Sequence, residues 1–266
     1  MKKEMQGKTI VIEGTSFKIN IEQQALIEQD DPENTISFVT QMKDCGDHYE
    51  MEYNRRLKNT QDTADTENVV TIEVPTLIEL DPEGMAARYD LTIGDLKNKT
   101  DFEVIVDQHL WQQRQSGVLP TIDIAGEHFV IDLRLQEFRH AQNFTPIISL
   151  RSLDLDSKGD HYMAFYHPFL RQVVNIDPKL TEFPEGVVAI KMPNELGLDP
   201  IAAARKYRID EKVLARLYPM QKELKADIVP LSETGIPALI QKNRQALRSE
   251  HEQIRSNRKF KRGRGL

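Results

Sequence analysis

Three stretches of this 266-residue chain occur twice, in the same order and at nearly constant spacing. Internal self-similarity at a fixed offset restricts a chain to repeated copies of one structural unit. Thr9-Ile-Val-Ile-Glu-Gly-Thr-Ser-Phe-Lys-Ile-Asn20 matches Thr121-Ile-Asp-Ile-Ala-Gly-Glu-His-Phe-Val-Ile-Asp132 at an offset of 112. Gly46-Asp47-His48-Tyr49 matches Gly159-Asp160-His161-Tyr162 at 113, with Tyr53 and Tyr166 in step. Val69-Val-Thr-Ile-Glu-Val-Pro75 matches Val187-Val-Ala-Ile-Lys-Met-Pro193 at 118, and this match continues through Leu80-Asp81-Pro82 and Leu198-Asp199-Pro200 to Tyr89 and Tyr207. The small changes of offset are those that loop insertions produce.

The matched positions carry structural signals. Ile10, Ile12, Phe17, Ile19 and Ile21 keep the two-residue period of strands with one buried face, as do Ile122, Ile124, Phe129, Ile131 and Leu133. Gly14 and Gly126 fall between the paired runs, where a two-residue turn needs positive φ. Each copy is therefore expected to open with a β-hairpin. Gly46-Asp47 and Gly159-Asp160 read as turns entering another strand, and Ile36–Val39 and Ile147–Leu150 as the strands that pair with it. Asp81-Pro82-Glu83 is a helix start, with Asp as N-cap and Pro at the first helical position. A longer helix is expected to close each copy. Phe102, Ile105, Val106, His109 and Leu110 share a helical face in the first, and Ile236, Leu239, Ile240 and Leu247 in the second. Thr100 and Thr234 are the expected caps. Residues 58–68 form a polar, Thr/Asp-rich loop.

These signals predict an α+β fold: a tandem, pseudo-twofold duplication, each unit with a mostly antiparallel sheet of four or five strands and two or three helices. The divisions are residues 1–118, 119–254 and a basic tail, 255–266. Separate domains and a shared core are both compatible with the pattern.

The chain carries a formal net charge of −7, unevenly spread. Arg255, Arg258, Lys259, Lys261, Arg262 and Arg264 give the last twelve residues +6 with no acid, leaving −13 for residues 1–254. Six cations with one aromatic and two glycines resemble a flexible arm that follows phosphates with little sequence preference. The arm lacks the apolar face that would anchor it in a membrane. No apolar run reaches the roughly 18 residues of a membrane span, and the first residues lack a signal-peptide core, so a cytoplasmic protein is expected.

The duplicated Gly-Asp-His-Tyr is the one other candidate site. Asp47, His48, Asp160 and His161 could bind a divalent metal, imidazole being the commonest donor. Companion ligands at fixed spacing are missing, which favours a plain turn. Cys45 is the single cysteine, which rules out an intramolecular disulfide and, on this reading, a cysteine-based zinc site. Asp154–Asp160 begins like a calcium loop but has Lys158 at its fifth position and Phe165 at its twelfth. No nucleophile elbow, zinc-protease helix, phosphate loop or dinucleotide fingerprint occurs, so no catalytic residue and no cofactor is assigned.

Leu80-Asp-Pro-Glu-Gly-Met-Ala-Ala-Arg-Tyr89, Lys99-Thr-Asp-Phe-Glu-Val104 and Leu119-Pro-Thr-Ile-Asp-Ile-Ala-Gly126 resemble uncharacterised proteins encoded on mobile or conjugative elements of Bacteroides-group bacteria. The resemblance covers most of residues 70–240 and includes a basic Arg-Gly tail. It implies no activity and no functional residues. It points to a cytoplasmic accessory protein working near nucleic acid. The expected function is thus a non-enzymatic adaptor that contacts nucleic acid, DNA or RNA, through Arg255–Arg264 and proteins through its acidic body. Two alternatives stand beside it: a pure protein-interaction module, and a metal-dependent hydrolase built on the duplicated His. The oligomeric state is not legible.

Overall fold

The computed structural model describes residues 8–60 and 65–262, with side chains of the final helix described to Ile254. The chain forms two compact units. The first takes the residues up to Gln112 together with the segment Tyr207–Met220; the second takes Gln113–Lys206 and the residues from Gln221 on. Both are mixed α+β with mostly antiparallel sheets.

In the first unit, β1 (Thr9–Ile12), β2 (Thr15–Asn20), β3 (Ala25–Glu28) and β4 (Thr35–Ser37) form an antiparallel meander in sequence order. The β1–β2 turn places Glu13 at φ 48° and Gly14 at φ 80°, the paired left-handed geometry that suits the twist of a tight hairpin. A second sheet follows, of β5 (Lys43–Asp44), β6 (His48–Asn54) and β7 (Val69–Pro75), in the order β5-β6-β7. Ile36–Val39 was expected to pair with β6. Instead Ile36 pairs with Leu26 of β3, and β5 and β7 flank β6. The chain turns at Val39–Met42, where Phe38, Val39 and Met42 are buried, so one expected sheet becomes two.

Four helices complete this stretch: α1 (Leu77–Leu80), α2 (Pro82–Arg88), α3 (Asp101–Ile105) and α4 (Gln108–Gln115). Asp81 caps α2, accepting from Gly84 N at 3.0 Å. Thr100 caps α3 in a reciprocal box with Glu103. The single long helix expected over Phe102–Leu110 is broken. Val106 is extended, and Asp107 Oδ1 accepts from His109 N and Leu110 N at 3.0 Å each, starting a new helix. Phe17, Leu26, Ile36, Phe38, Tyr49, Tyr53, Leu77 and Met85 are almost wholly excluded from solvent and form the core. Phe38 and Tyr49 meet edge to face at 5.0 Å between ring centres.

The second unit repeats much of this local grammar. β8 (Thr121–Ile124), β9 (Glu127–Asp132), β10 (Glu137–His140) and β11 (Ile147–Ser149) form a meander, with Ala125 and Gly126 at positive φ in the first turn. A second sheet contains β12 (Asp154–Leu155), β13 (His161–His167), β14 (Gln172–Val173) and β15 (Val188–Pro193), followed by α5 (Glu195–Leu198) and α6 (Pro200–Tyr207). As in the first unit, Ile147–Ser149 pairs within the meander rather than with the strand after Gly-Asp-His-Tyr. The core is built on Ile122, Phe129, Ile131, Phe138, Tyr166, Ile190 and Ile201.

The next helix, α7 (Glu211–Leu217), packs into the first unit. The chain then supplies β16 (Leu224–Lys225), parallel to β8 through Leu224↔Ile122, and β17 (Asp227–Val229), antiparallel to β15. It closes with α8 (Ile236–Arg262), 27 residues long. Thr234 Oγ1 accepts from Ile236 N at 3.2 Å, as its expected capping role requires. No helix of the described residues is long and apolar enough to cross a membrane.

Candidate functional site

The basic residues proposed to follow phosphates belong mostly to α8. The backbone of Arg255, Arg258, Lys259, Lys261 and Arg262 continues the helix, so a flexible arm is not what carries them; Arg264 lies outside the described residues. Ile236 and Ile240 are buried. Asn243 Nδ2 donates to the carbonyls of Pro178 and Leu180 at 2.9 and 2.8 Å, and Arg244 Nε to that of Thr181 at 2.6 Å. From Arg244 to Ile254 every residue is exposed. Leu247, expected on the buried face, is 46% exposed. At 1.5 Å per residue α8 is about 40 Å long, and among its described side chains the buried ones, Ile236 and Ile240, lie in its first two turns.

The same unit has a second concentration of cations. Arg114, Arg134, Arg205 and Lys206 line a cavity of about 760 Å³ together with Leu119, Asp132 and Ala202. Arg114 is buried. It forms a two-pronged ion pair with Asp199 and donates to Val118 O. Asp199 Oδ1 also accepts from Ala202 N at 3.1 Å, capping α6. Lys206 is held by Glu195 at 2.7 Å.

A cavity of the first unit, about 850 Å³, is lined by Phe38, Met42, Asp44, Trp111, Lys212 and Arg216, among others. Arg216 is buried at its rim. Nε donates to Gln24 Oε1 at 2.9 Å, Nη1 to Tyr49 Oη at 2.9 Å and to Asp44 Oδ2 at 3.4 Å. Nη2 has no hydrogen-bond partner among the described residues. Tyr49 Oη in turn donates to Asp101 Oδ2 at 2.8 Å, and Asp101 accepts from Leu77 N and Ile78 N, at the start of α1. Burial pushes the Tyr49 hydroxyl up from the ordinary range, and burial also raises Asp101 against its four favourable neighbours. This network was invisible in the sequence: Arg216 is 167 residues from Tyr49.

The duplicated Gly-Asp-His-Tyr behaves differently in the two units. In the first, Asp47 Oδ1 lies 2.8 Å from His48 Nδ1; that hydrogen bond lowers Asp47 and raises His48 from their ordinary values. In the second, His161 Nδ1 faces Asp156 Oδ2 at 3.2 Å rather than Asp160. Asp160 is exposed and contributes its backbone, its N–H donating to Asp156 Oδ1 and its carbonyl accepting from Asn194 N. Asp156 Oδ1 also accepts from Lys158 N, so the calcium-like sequence is a polar turn. A cluster of possible ligands does form in the first unit, but from Cys45, His48 and Glu50. One thiol is here joined by an imidazole and a carboxylate across a turn, and the spacing Cys45-x-x-His48-x-Glu50 is the trace of it in the sequence.

Fold and sites together define an α+β protein of two compact units that closes with a 27-residue helix, exposed from Arg244 to Ile254. Compared with protein-family models, with curated proteins and with solved structures, the chain matches none.

Proposed function

We propose that this is a cytoplasmic, non-enzymatic accessory protein that contacts nucleic-acid phosphates through α8 and binds proteins through its acidic body. The observation that carries this reading is the exposure of α8 from Arg244 to Ile254, continuous in backbone with Arg255–Arg262. A helix presents cations at fixed spacing along a phosphate track and loses less entropy on binding than a coil does. The experiment compares the full chain with residues 1–254 on duplex DNA and single-stranded RNA across a salt series. Salt-dependent binding present in the full chain and lost on truncation is expected. Equal binding by both proteins, or none by either, overturns the reading.

One observation favours a pure protein-interaction module instead. Leu247 and Ile254 are each 46% exposed and seven residues apart on α8, the spacing of a coiled-coil seam. A concentration-dependent oligomer abolished by Leu247→Glu, with no nucleic-acid binding, would establish that alternative.

We also propose that the two units are copies of one ancestral unit. What supports this is the strand register. His48↔Pro75 and Tyr49↔Val74 in β6–β7 fall at the same sequence-matched positions as His161↔Pro193 and Tyr162↔Met192 in β13–β15.

A further inference from the structure

Cys45, His48 and Glu50 are brought together by one turn. Gly46 takes φ 95°, and Cys45 N donates to His48 O at 2.9 Å, which folds Cys45 back over the start of β6. Along β6 the side chains alternate: Tyr49, Met51 and Tyr53 are buried, while His48 and Glu50 share the opposite face. One ligand atom from each of the three residues lies within 4.8 Å of the other two.

The surroundings orient these atoms. Asp47 engages His48 Nδ1, which leaves Nε2 turned inward. Nε2 is shielded from solvent, has no hydrogen-bond partner among the described residues and lies 3.8 Å from Glu50 Oε1. Lys43 holds the other carboxylate oxygen, Oε2, at 2.7 Å. Glu73 stands directly across from Glu50 in the β6–β7 pairing and adds a second carboxylate to that face. A carboxylate on the remote nitrogen of an imidazole whose other nitrogen is unsatisfied is the arrangement that supports metal-ligating histidines.

We propose that Cys45, His48 and Glu50 bind one divalent transition metal, with Asp47 as the positioning residue for His48. A thiolate, an imidazole and a carboxylate suit zinc(II), and three protein ligands leave a fourth position for water. Zinc–sulfur and zinc–nitrogen bonds of about 2.3 and 2.0 Å set ligand–ligand edges near 3.5 Å in a tetrahedron, so the turn has to close by about 1 Å. The second unit has no equivalent, because Lys158 and Met163 stand where the first has Cys45 and Glu50. The expected stoichiometry is one metal per chain.

The test uses the full chain, reduced and freed of metal with a chelator, titrated with zinc(II) by calorimetry and with cobalt(II) by absorption. One zinc per chain with Kd below about 10 μM and a thiolate-to-cobalt charge-transfer band are expected. Cys45→Ser and His48→Ala should each weaken binding at least tenfold, and Asp47→Asn by about 10–100-fold, whereas His161→Ala should leave it unchanged. Failure of the wild-type chain to bind zinc at one equivalent overturns the proposal. So does binding that survives in the Cys45→Ser/His48→Ala double variant. Should the variants lose their fold, judged by circular dichroism, the wild-type cobalt spectrum decides: a tetrahedral spectrum with the thiolate band sustains the site, and its absence removes it.

Discussion

Arg216 Nη1 donates to Tyr49 Oη at 2.9 Å, and that hydroxyl passes its own proton toward Asp101 at 2.8 Å. A cation from α7 is thereby linked through a phenol to a carboxylate that caps the start of α1. The side chain of Arg216 is only 3% exposed, so its charge is tolerated because Gln24, Tyr49 and Asp44 surround it.

Removing that charge strands its partners. Arg216→Met keeps most of the stem but deletes the guanidinium, and should destabilise the protein by about 3 kcal/mol, since breaking a buried polar network leaves its partners uncompensated. Tyr49→Phe should cost about 1–2 kcal/mol through the two lost hydrogen bonds. Urea denaturation of both variants and of the double variant checks this. The double variant should lose less than the sum of the two, and strict additivity would show that the residues are not coupled.

Asp81 and Asp199 occupy the same place in the repeated Leu-Asp-Pro, yet they should not respond alike. Asp81 caps α2 and makes a longer contact of 3.5 Å to Lys8. Asp81→Ala should cost about 1 kcal/mol, the usual worth of an N-cap. Asp199 caps α6 and also neutralises buried Arg114, so Asp199→Ala should cost about 3–5 kcal/mol. Equal losses in thermal denaturation would contradict this difference.

Glu28 gives the stability a pH dependence. Its side chain is 3% exposed, pairs with Lys58 and accepts from Asn34 Nδ2 at 2.8 Å. The Lys58 ammonium, then the Asn34 amide, hold its carboxyl below the ordinary range. A carboxylate depressed in the folded state stabilises above its unfolded pKa, and that contribution fades as pH falls through the folded value. Glu28→Gln should therefore be less stable than wild type by about 1–2 kcal/mol at neutral pH, and the gap should close as the pH drops below about 4. A gap that stays constant down to pH 3 would assign the loss to packing instead.

Binding of nucleic acid through α8 would leave a salt signature. With five phosphate contacts, from Arg255, Arg258, Lys259, Lys261 and Arg262, log K should fall against log salt with a slope of about −4.5 on duplex DNA. Replacing Lys259 and Lys261 with Gln should make the slope shallower by about 2, without changing sequence preference. Filter binding or fluorescence anisotropy at several salt concentrations measures both.

The sequence by itself determined the local pieces. The two-residue apolar period and Glu13-Gly14 or Ala125-Gly126 specify hairpins, and Asp81-Pro82 and Thr100-x-x-Glu103 start helices, because backbone sterics and caps act within a few residues. Only the tertiary structure decided where those pieces go. Nothing local to Glu211–Leu217 marks it for the first unit; a cavity wall and partners for Arg216 do. Nor does the short Leu224–Lys225 strand announce that it will lie parallel to Thr121–Ile124. The recurring islands were legible because packing and turn chemistry are periodic. The buried arginine network was not, because it depends on long-range burial, and the local spacing of Cys45, His48 and Glu50 gains meaning only once the turn brings the three side chains to one face.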